Sequence, residues 1–229
     1  MDHNRNDETI NAYWEKNIAG FSGFYDKESE ENLSTSPLIE FCYKKAIFPI
    51  EKKYMKERYN LVVSFINNYV NREMEVADIG CGSGIYTKIL AGRCKRVYAL
   101  DFAQNALDIT KGGLTQNELK HVIMLKQNIT DYPIPKVDMA IAIGVLPYVT
   151  NYQPFFNNIL PYTNGLLFNF LDSRNYFNLI RRACPFLNVR NYSYHKFLDI
   201  AEILKENNFS VLHRYKLASG IVVNAVKEI

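Results

Sequence analysis

The stretch EVADIGCGSGIYTKILAGRC, Glu75–Cys94, places three glycines, Gly80, Gly82 and Gly84, within five residues directly after an apolar run. The run predicts a strand, and the segment from Gly84 onward predicts a helix, so the glycines fall at a strand-to-helix turn. Glycine there permits positive φ, lets a ligand approach bare backbone, and lets the helix pack close to the strand. The helix N-terminus adds free N–H groups and a partial positive charge. A ligand with an acceptor or anionic end is expected against this loop.

The loop reads G-x-G-x-G, one residue short of the dinucleotide fingerprint G-x-G-x-x-G, with Asp78 two residues before the first glycine. The following strand, RVYALD, ends in Asp101, 17 residues past Gly84. A carboxylate at that place accepts hydrogen bonds from both hydroxyls of a ribose and disfavours a phosphorylated one. No G-x-x-x-x-G-K-[ST] string occurs, which argues against a P-loop NTPase.

Outward from the loop, short apolar strands alternate with helical patterns. EVADIG, RVYALD, HVIMLKQ, KVDMAIAIG and GLLFNFLD read as strands. GIYTKILAGRC, AQNALDITKGG, a segment near Gln153–Leu160 and SYHKFLDIAEILKENN read as helices. FSVLHRYKL and GIVVNAVKEI close the chain as a strand pair. Continuous apolar runs suit a sheet buried on both faces. This alternation predicts a doubly wound α/β fold. Upstream, Ser36–Val70 is helical in pattern, with Leu61, Val62, Phe65, Ile66 and Tyr69 on one face. Pro49 divides that region into two helices. The expected organisation is an N-terminal arm and helical lid over 1–72 and an α/β domain over 73–229. An insertion at about 173–192 covers the site, and the whole is one compact domain.

Composition bounds the partners. Hydrophobic residues make up 48% of the 229, so a sizeable core is expected. Lys and Arg number 27 against 24 Asp and Glu, a net charge of +3, too weak a bias to indicate nucleic acid. MDHNRNDETI has no signal-peptide core, and the longest apolar run is too short for a membrane-spanning helix. A cytoplasmic protein with reduced thiols is expected. Cys42, Cys81, Cys94 and Cys184 show no metal-ligand spacing.

The ordered set of motifs resembles the class I S-adenosylmethionine-dependent methyltransferases. VADIGCGSG (76–84) resembles the family's first motif, and VYALDFAQNALDIT (97–110) its ribose strand and next helix. QNITDYP (127–133) resembles the segment beside adenine, and KVDMAIAIGVLPYV (136–149) and LPYTNGLLFNFLD (160–172) the fourth and fifth strands. The resemblance covers roughly Glu75 to the end of the chain and implies a seven-stranded Rossmann-like sheet. It also implies S-adenosylmethionine as cofactor and S-adenosylhomocysteine as product. By position, Gly80, Cys81, Gly82 and Gly84 would lie against the methionine part, with Asp78 supporting the loop. Asp101 would hold the ribose, Phe102, Asn128 and Ile129 would flank the adenine, and Ile143 and Gly144 would lie beside the methionine.

Such transfer is an in-line displacement on an activated cofactor, so few residues are obligatory. Catechol-type enzymes similar in fold bind magnesium with carboxylates after the fourth and fifth strands; here the fourth strand runs into Ile143-Gly144 with no acid and Asp172 has no partner nearby, so the resemblance implies no metal. GVLPY is not the Asn/Asp-Pro-Pro-Tyr of amino methylases similar in fold. His195 and Tyr25 are the candidate bases, His195 being equally readable as a helix-start histidine. Arg174, Arg181 and Arg182 in the insertion, and Tyr13 in the arm, are candidates for substrate contact, since arginine forks suit phosphate and carboxylate. The lysine-rich stretch Lys44–Tyr59 reads as a solvated helix face. The expected substrate is a small polar, possibly anionic metabolite methylated on O or N, by a monomer or homodimer. A non-catalytic or protein-modifying binding module of the same fold stays open, as does, on weaker grounds, an NAD-dependent dehydrogenase.

Overall fold

A computed structural model describes residues 45, 48–183 and 192–228. The arm, with Tyr13 and Tyr25, and the second half of the insertion lie outside the described residues. The chain's first described helix, α1 (Phe48–Tyr69), carries Pro49 in its first turn, where a missing N–H is harmless. Then follow β1 (Glu75–Ile79), α2 (Ile85–Ala91), β2 (Arg96–Asp101), α3 (Gln104–Gly112), α4 (Gln116–Leu119), β3 (Val122–Lys126) and β4 (Val137–Ala142). The C-terminal half contains α5 (Tyr152–Asn157), β5 (Thr163–Asp172), α6 (Tyr176–Ala183), β6 (Tyr194–His195), α7 (Phe197–Glu206), β7 (Phe209–Lys216) and β8 (Gly220–Lys227).

The strands form one sheet in the order β3-β2-β1-β4-β5-β8-β7, with short β6 added beside β5. β1 pairs in parallel with both β2 and β4, so the winding direction reverses between them. A ligand crevice is expected at the carboxyl ends of strands flanking such a reversal. β8 runs antiparallel between β5 and β7, in register Gly165 opposite Val226 through Leu171 opposite Gly220.

Side chains on successive strand positions point to opposite faces, and β5 shows the result. Leu166, Phe168 and Phe170 pack with Phe155, Phe156, Ile200 and Leu204 on one side of the sheet. Leu167 packs with Val62, Phe65, Ile66, Tyr86 and Leu90 on the other. The doubly wound reading therefore holds, with helices on both faces.

Two local readings are corrected. Tyr69, assigned to the buried face of α1, is 51% exposed and stacks on Phe65 with ring centroids 4.8 Å apart, because the helix ends there. Ser193–His195 do not begin a helix: Tyr194 and His195 pair with Leu171 and Asp172 as β6, and the helix starts at Phe197. The insertion contains a helix, α6. Helix α4 also went unread, although Thr115 and Glu118 form a reciprocal capping box at its start.

Candidate active site

A cavity of about 400 Å³ opens at the carboxyl ends of β1, β2, β4 and β5. Its floor is the glycine loop. Gly80, Gly82 and Gly84 all have positive φ, at 67°, 56° and 77°, the region that favours glycine. The loop is tied to the end of β2: Gly80 and Cys81 N–H donate to the Leu100 carbonyl at 2.7 and 3.0 Å. The Gly82 N–H donates to Asp101 Oδ2 at 3.0 Å. Asp101 Oδ1 accepts from the Ala103 N–H at 3.0 Å, which fixes the carboxylate at the cavity wall.

Asp78 and Gly84 act from behind the cavity. The Thr87 hydroxyl donates to Asp78 Oδ2 at 2.5 Å, tying the end of β1 to α2. Burial pushes the Asp78 carboxyl up to about 6, with the nearby Asp101 charge adding in the same direction. A Cβ on Gly84 would sit 2.8 Å from Thr110 Cγ2 and 3.0 Å from the Thr110 backbone, so Gly84 is needed for the close approach of α3. The Cys81 thiol is pushed far up by burial and by the neighbouring carboxylates, so it stays protonated and is no nucleophile.

Phe102, Asn128, Ile129, Ile143 and Gly144 all line the cavity. Asn128 is also a turn residue: its Oδ1 accepts from the Thr130 N–H at 3.2 Å. The three arginines separate. Arg181 lines the cavity, while Arg174 and Arg182 are exposed and do not. His195 does not line it either. The ring is buried, its Nε2 lies 3.2 Å from the Leu146 carbonyl, and it meets Tyr152 edge-on with centroids 5.1 Å apart. Burial lowers its pKa and keeps the imidazole neutral.

Several cavity residues were not singled out from the sequence. Glu51, Tyr54, Met55 and Arg58, at helical spacing inside the lysine-rich stretch, form a buried face of α1 that lines the cavity, while Lys52, Lys53 and Lys56 are exposed. Glu51 pairs with Arg181, joining α1 to α6. The Arg181 guanidinium also lies over the Phe177 and Tyr192 rings, 5.3 and 4.9 Å from their centroids. Asn169, fully buried on β5, accepts from the Gly144 N–H at 2.6 Å and donates to the Tyr54 hydroxyl at 2.9 Å. An i, i+3, i+4, i+7 pattern among the lysines, and one asparagine inside an apolar strand, were the available signals.

A sheet reversing beside a glycine loop, with a carboxylate at the end of the next strand, is a site suited to a ribose-bearing ligand. Residues 77–162 match the family model of a methyltransferase domain. The match covers 86 of the 229 residues.

The fold is shared with magnesium protoporphyrin IX methyltransferase from Synechocystis PCC 6803, solved with bound SAH. The TM-score is 0.73 at 16% identity, covering 97% of this chain and 100% of that one. A probable cobalt-precorrin-6B C(15)-methyltransferase (decarboxylating) of Methanocaldococcus jannaschii is 34% identical over 95 residues, 42% of this chain and 49% of that protein. A ubiquinone biosynthesis O-methyltransferase of Rickettsia bellii is 30% identical over 106 residues, 45% of this chain and 44% of that protein. The chain thus spans about half the length of these two curated relatives. No helix among the described residues is long and apolar enough to cross a membrane.

Proposed function

We propose that the protein is an S-adenosylmethionine-dependent methyltransferase acting on O or N of a small polar, possibly anionic metabolite, without a metal. The observation that carries this reading is the glycine loop bound to Asp101 at the mouth of a cavity that continues to the buried arginines of α1 and α6. The residues present fit the cofactor. Asp101 supplies an acceptor for ribose hydroxyls, Phe102 and Ile129 an apolar slot for adenine, and the positive-φ backbone of Gly80 and Gly82 a surface without side chains. The named activities of the relatives, on tetrapyrrole and ubiquinone precursors, are consistent with a small-molecule acceptor.

The cofactor supplies an activated methyl group on a sulfonium. The protein's part is to align the acceptor and exclude water. Ile143 and Gly144 are read as the wall beside the methionine portion, and Arg181 as the wall on the acceptor side. The segment 1–72 and the insertion 173–192 are read as the cover of the site, which gives Tyr13 and Tyr25 a place in substrate contact or proton transfer. His195, with both its burial and its carbonyl contact, is read as structural.

Calorimetric titration with S-adenosylmethionine, with NAD as control, tests the reading. Binding of the first alone is expected. Binding of NAD would restore the dehydrogenase, and binding of neither would favour a partner module.

A further inference from the structure

We propose that His195 is a positioning residue: from behind the cavity, through the Leu146 carbonyl, it sets the loop after β4 as a wall of the site. The proposal deepens the cofactor reading above and rests on it.

Gly144, Val145, Pro147, Tyr148 and Val149 line the cavity. Val145 sits so tightly on the glycine loop that a Cβ on Gly80 would lie 2.4 Å from Val145 Cγ2. Locally this wall is one turn, Leu146–Tyr148, closed by the Tyr148 N–H on the Val145 carbonyl and the Val149 N–H on the Leu146 carbonyl. Its place in the fold is set from further along the chain. Asn169 Oδ1 accepts from the Gly144 N–H at one end. At the other end, the segment that forms β6 supplies two donors. The Ser193 N–H donates to the Pro147 carbonyl at 2.7 Å, and His195 Nε2 lies 3.2 Å from the Leu146 carbonyl.

A carbonyl can only accept, so Nε2 carries the proton of that contact. The ring is 5% exposed and set edge-on to Tyr152. Burial lowers its pKa, while the Leu146 and Val149 backbone and the Asp199 charge on α7 act the other way. Asp172, its ladder partner on β5, turns Oδ1 to the Arg174 N–H, Lys196 is exposed, and the loop from Val145 to Asn151 carries no charged residue. Charging the ring therefore costs more in the folded protein than in the unfolded one. The positioned loop is fully favoured above about pH 6.5, the ordinary histidine value, and loses that support as the pH falls through the lowered folded value.

His195→Gln keeps a donor and takes up no proton, whereas His195→Phe keeps a ring beside Tyr152 and loses the donor. In calorimetric titration with S-adenosylhomocysteine at about pH 7.5, we expect His195→Gln to bind within about twofold of wild type. His195→Phe should bind about fivefold more weakly or worse, with faster hydrogen exchange of the 145–149 amides in that variant alone. Between about pH 7.5 and 5.5 the wild type should lose affinity that His195→Gln retains; Asp78 titrates in both proteins and cancels in the comparison. Melting curves report whether each variant folds. The proposal fails if His195→Phe binds and exchanges as the wild type does, if His195→Gln is as impaired as His195→Phe, or if His195→Gln follows the wild-type pH profile. A wild-type protein that does not bind S-adenosylhomocysteine would refute the cofactor reading, and exchange of the 145–149 amides in the two variants would still decide the positioning role.

Discussion

Asp101 serves two masters in one carboxylate. It anchors the glycine loop through Gly82 and lines the cavity. Asp101→Ala is expected to weaken S-adenosylmethionine by about 1–3 kcal/mol, measured by titration. Unchanged affinity would place the ribose elsewhere. Gly82, at φ +56°, makes any side chain there strained as well as obstructive, so loss of binding in a Gly82→Val variant would come with a loss of stability.

Asp78 gives a pH signature. Its folded pKa, about 6, lies above its ordinary value of 3.8. The native state therefore holds the proton more tightly than the unfolded one. The resulting stability is complete below about pH 4 and is lost as the pH rises through about 6, an effect of up to about 3 kcal/mol. Asp78→Asn should flatten that part of the stability profile in urea denaturation between pH 4 and 7. A profile identical to the wild type's would mean that Asp78 is ionised at little cost.

At the scale of elements, the joint between α1 and α6 is the Glu51–Arg181 pair, both side chains buried. Removing one charge from a buried pair leaves the other in a poor medium, at a cost of about 3–5 kcal/mol. Glu51→Gln should lower stability by about that much, whereas Glu51→Met with Arg181→Met should recover most of it. Thermal melts of the three proteins test this, and a double variant as unstable as the single would show that packing, not charge, joins the helices.

Elements also show what the sequence could disclose. The central strands and their alternation with helices were legible because each carries an apolar run between turn residues. The glycine loop was legible because its spacing is physically constrained. Helix α6 was not, because Arg181 on it is buried against Glu51 of α1 and the ring of Tyr192, partners outside the helix, besides Phe177 on its own helix. The lysine-rich stretch read as solvent-facing because three lysines face water, while the intervening Tyr54 and Arg58 meet partners more than eighty residues away. Asn169 looked like an interruption of a strand, and only its two partners reveal its use.

For the whole molecule, the cavity joins α1, the glycine loop, the β4 loop and α6, so a ligand there binds the assembled state alone. At a hundredfold excess over its Kd, S-adenosylhomocysteine should stabilise the protein by about 2.7 kcal/mol, read as a raised melting temperature that NAD does not reproduce. A chain melting identically with either would have no ligand-linked assembly.

The position of β8 has a temporal consequence. Among the described strands it is the last made, yet it lies between β5 and β7 with six consecutive buried residues. During synthesis, β5 must wait, its hydrogen-bonding edge open, until residues 220–227 have left the ribosome. A nascent chain paused before Gly220 would leave the β5 edge from Gly165 to Leu171 unpaired, with Leu166, Leu167, Phe168, Phe170 and Leu171 along it, the kind of surface that chaperones hold and that aggregates recruit. The sheet can close only when translation of this region is complete.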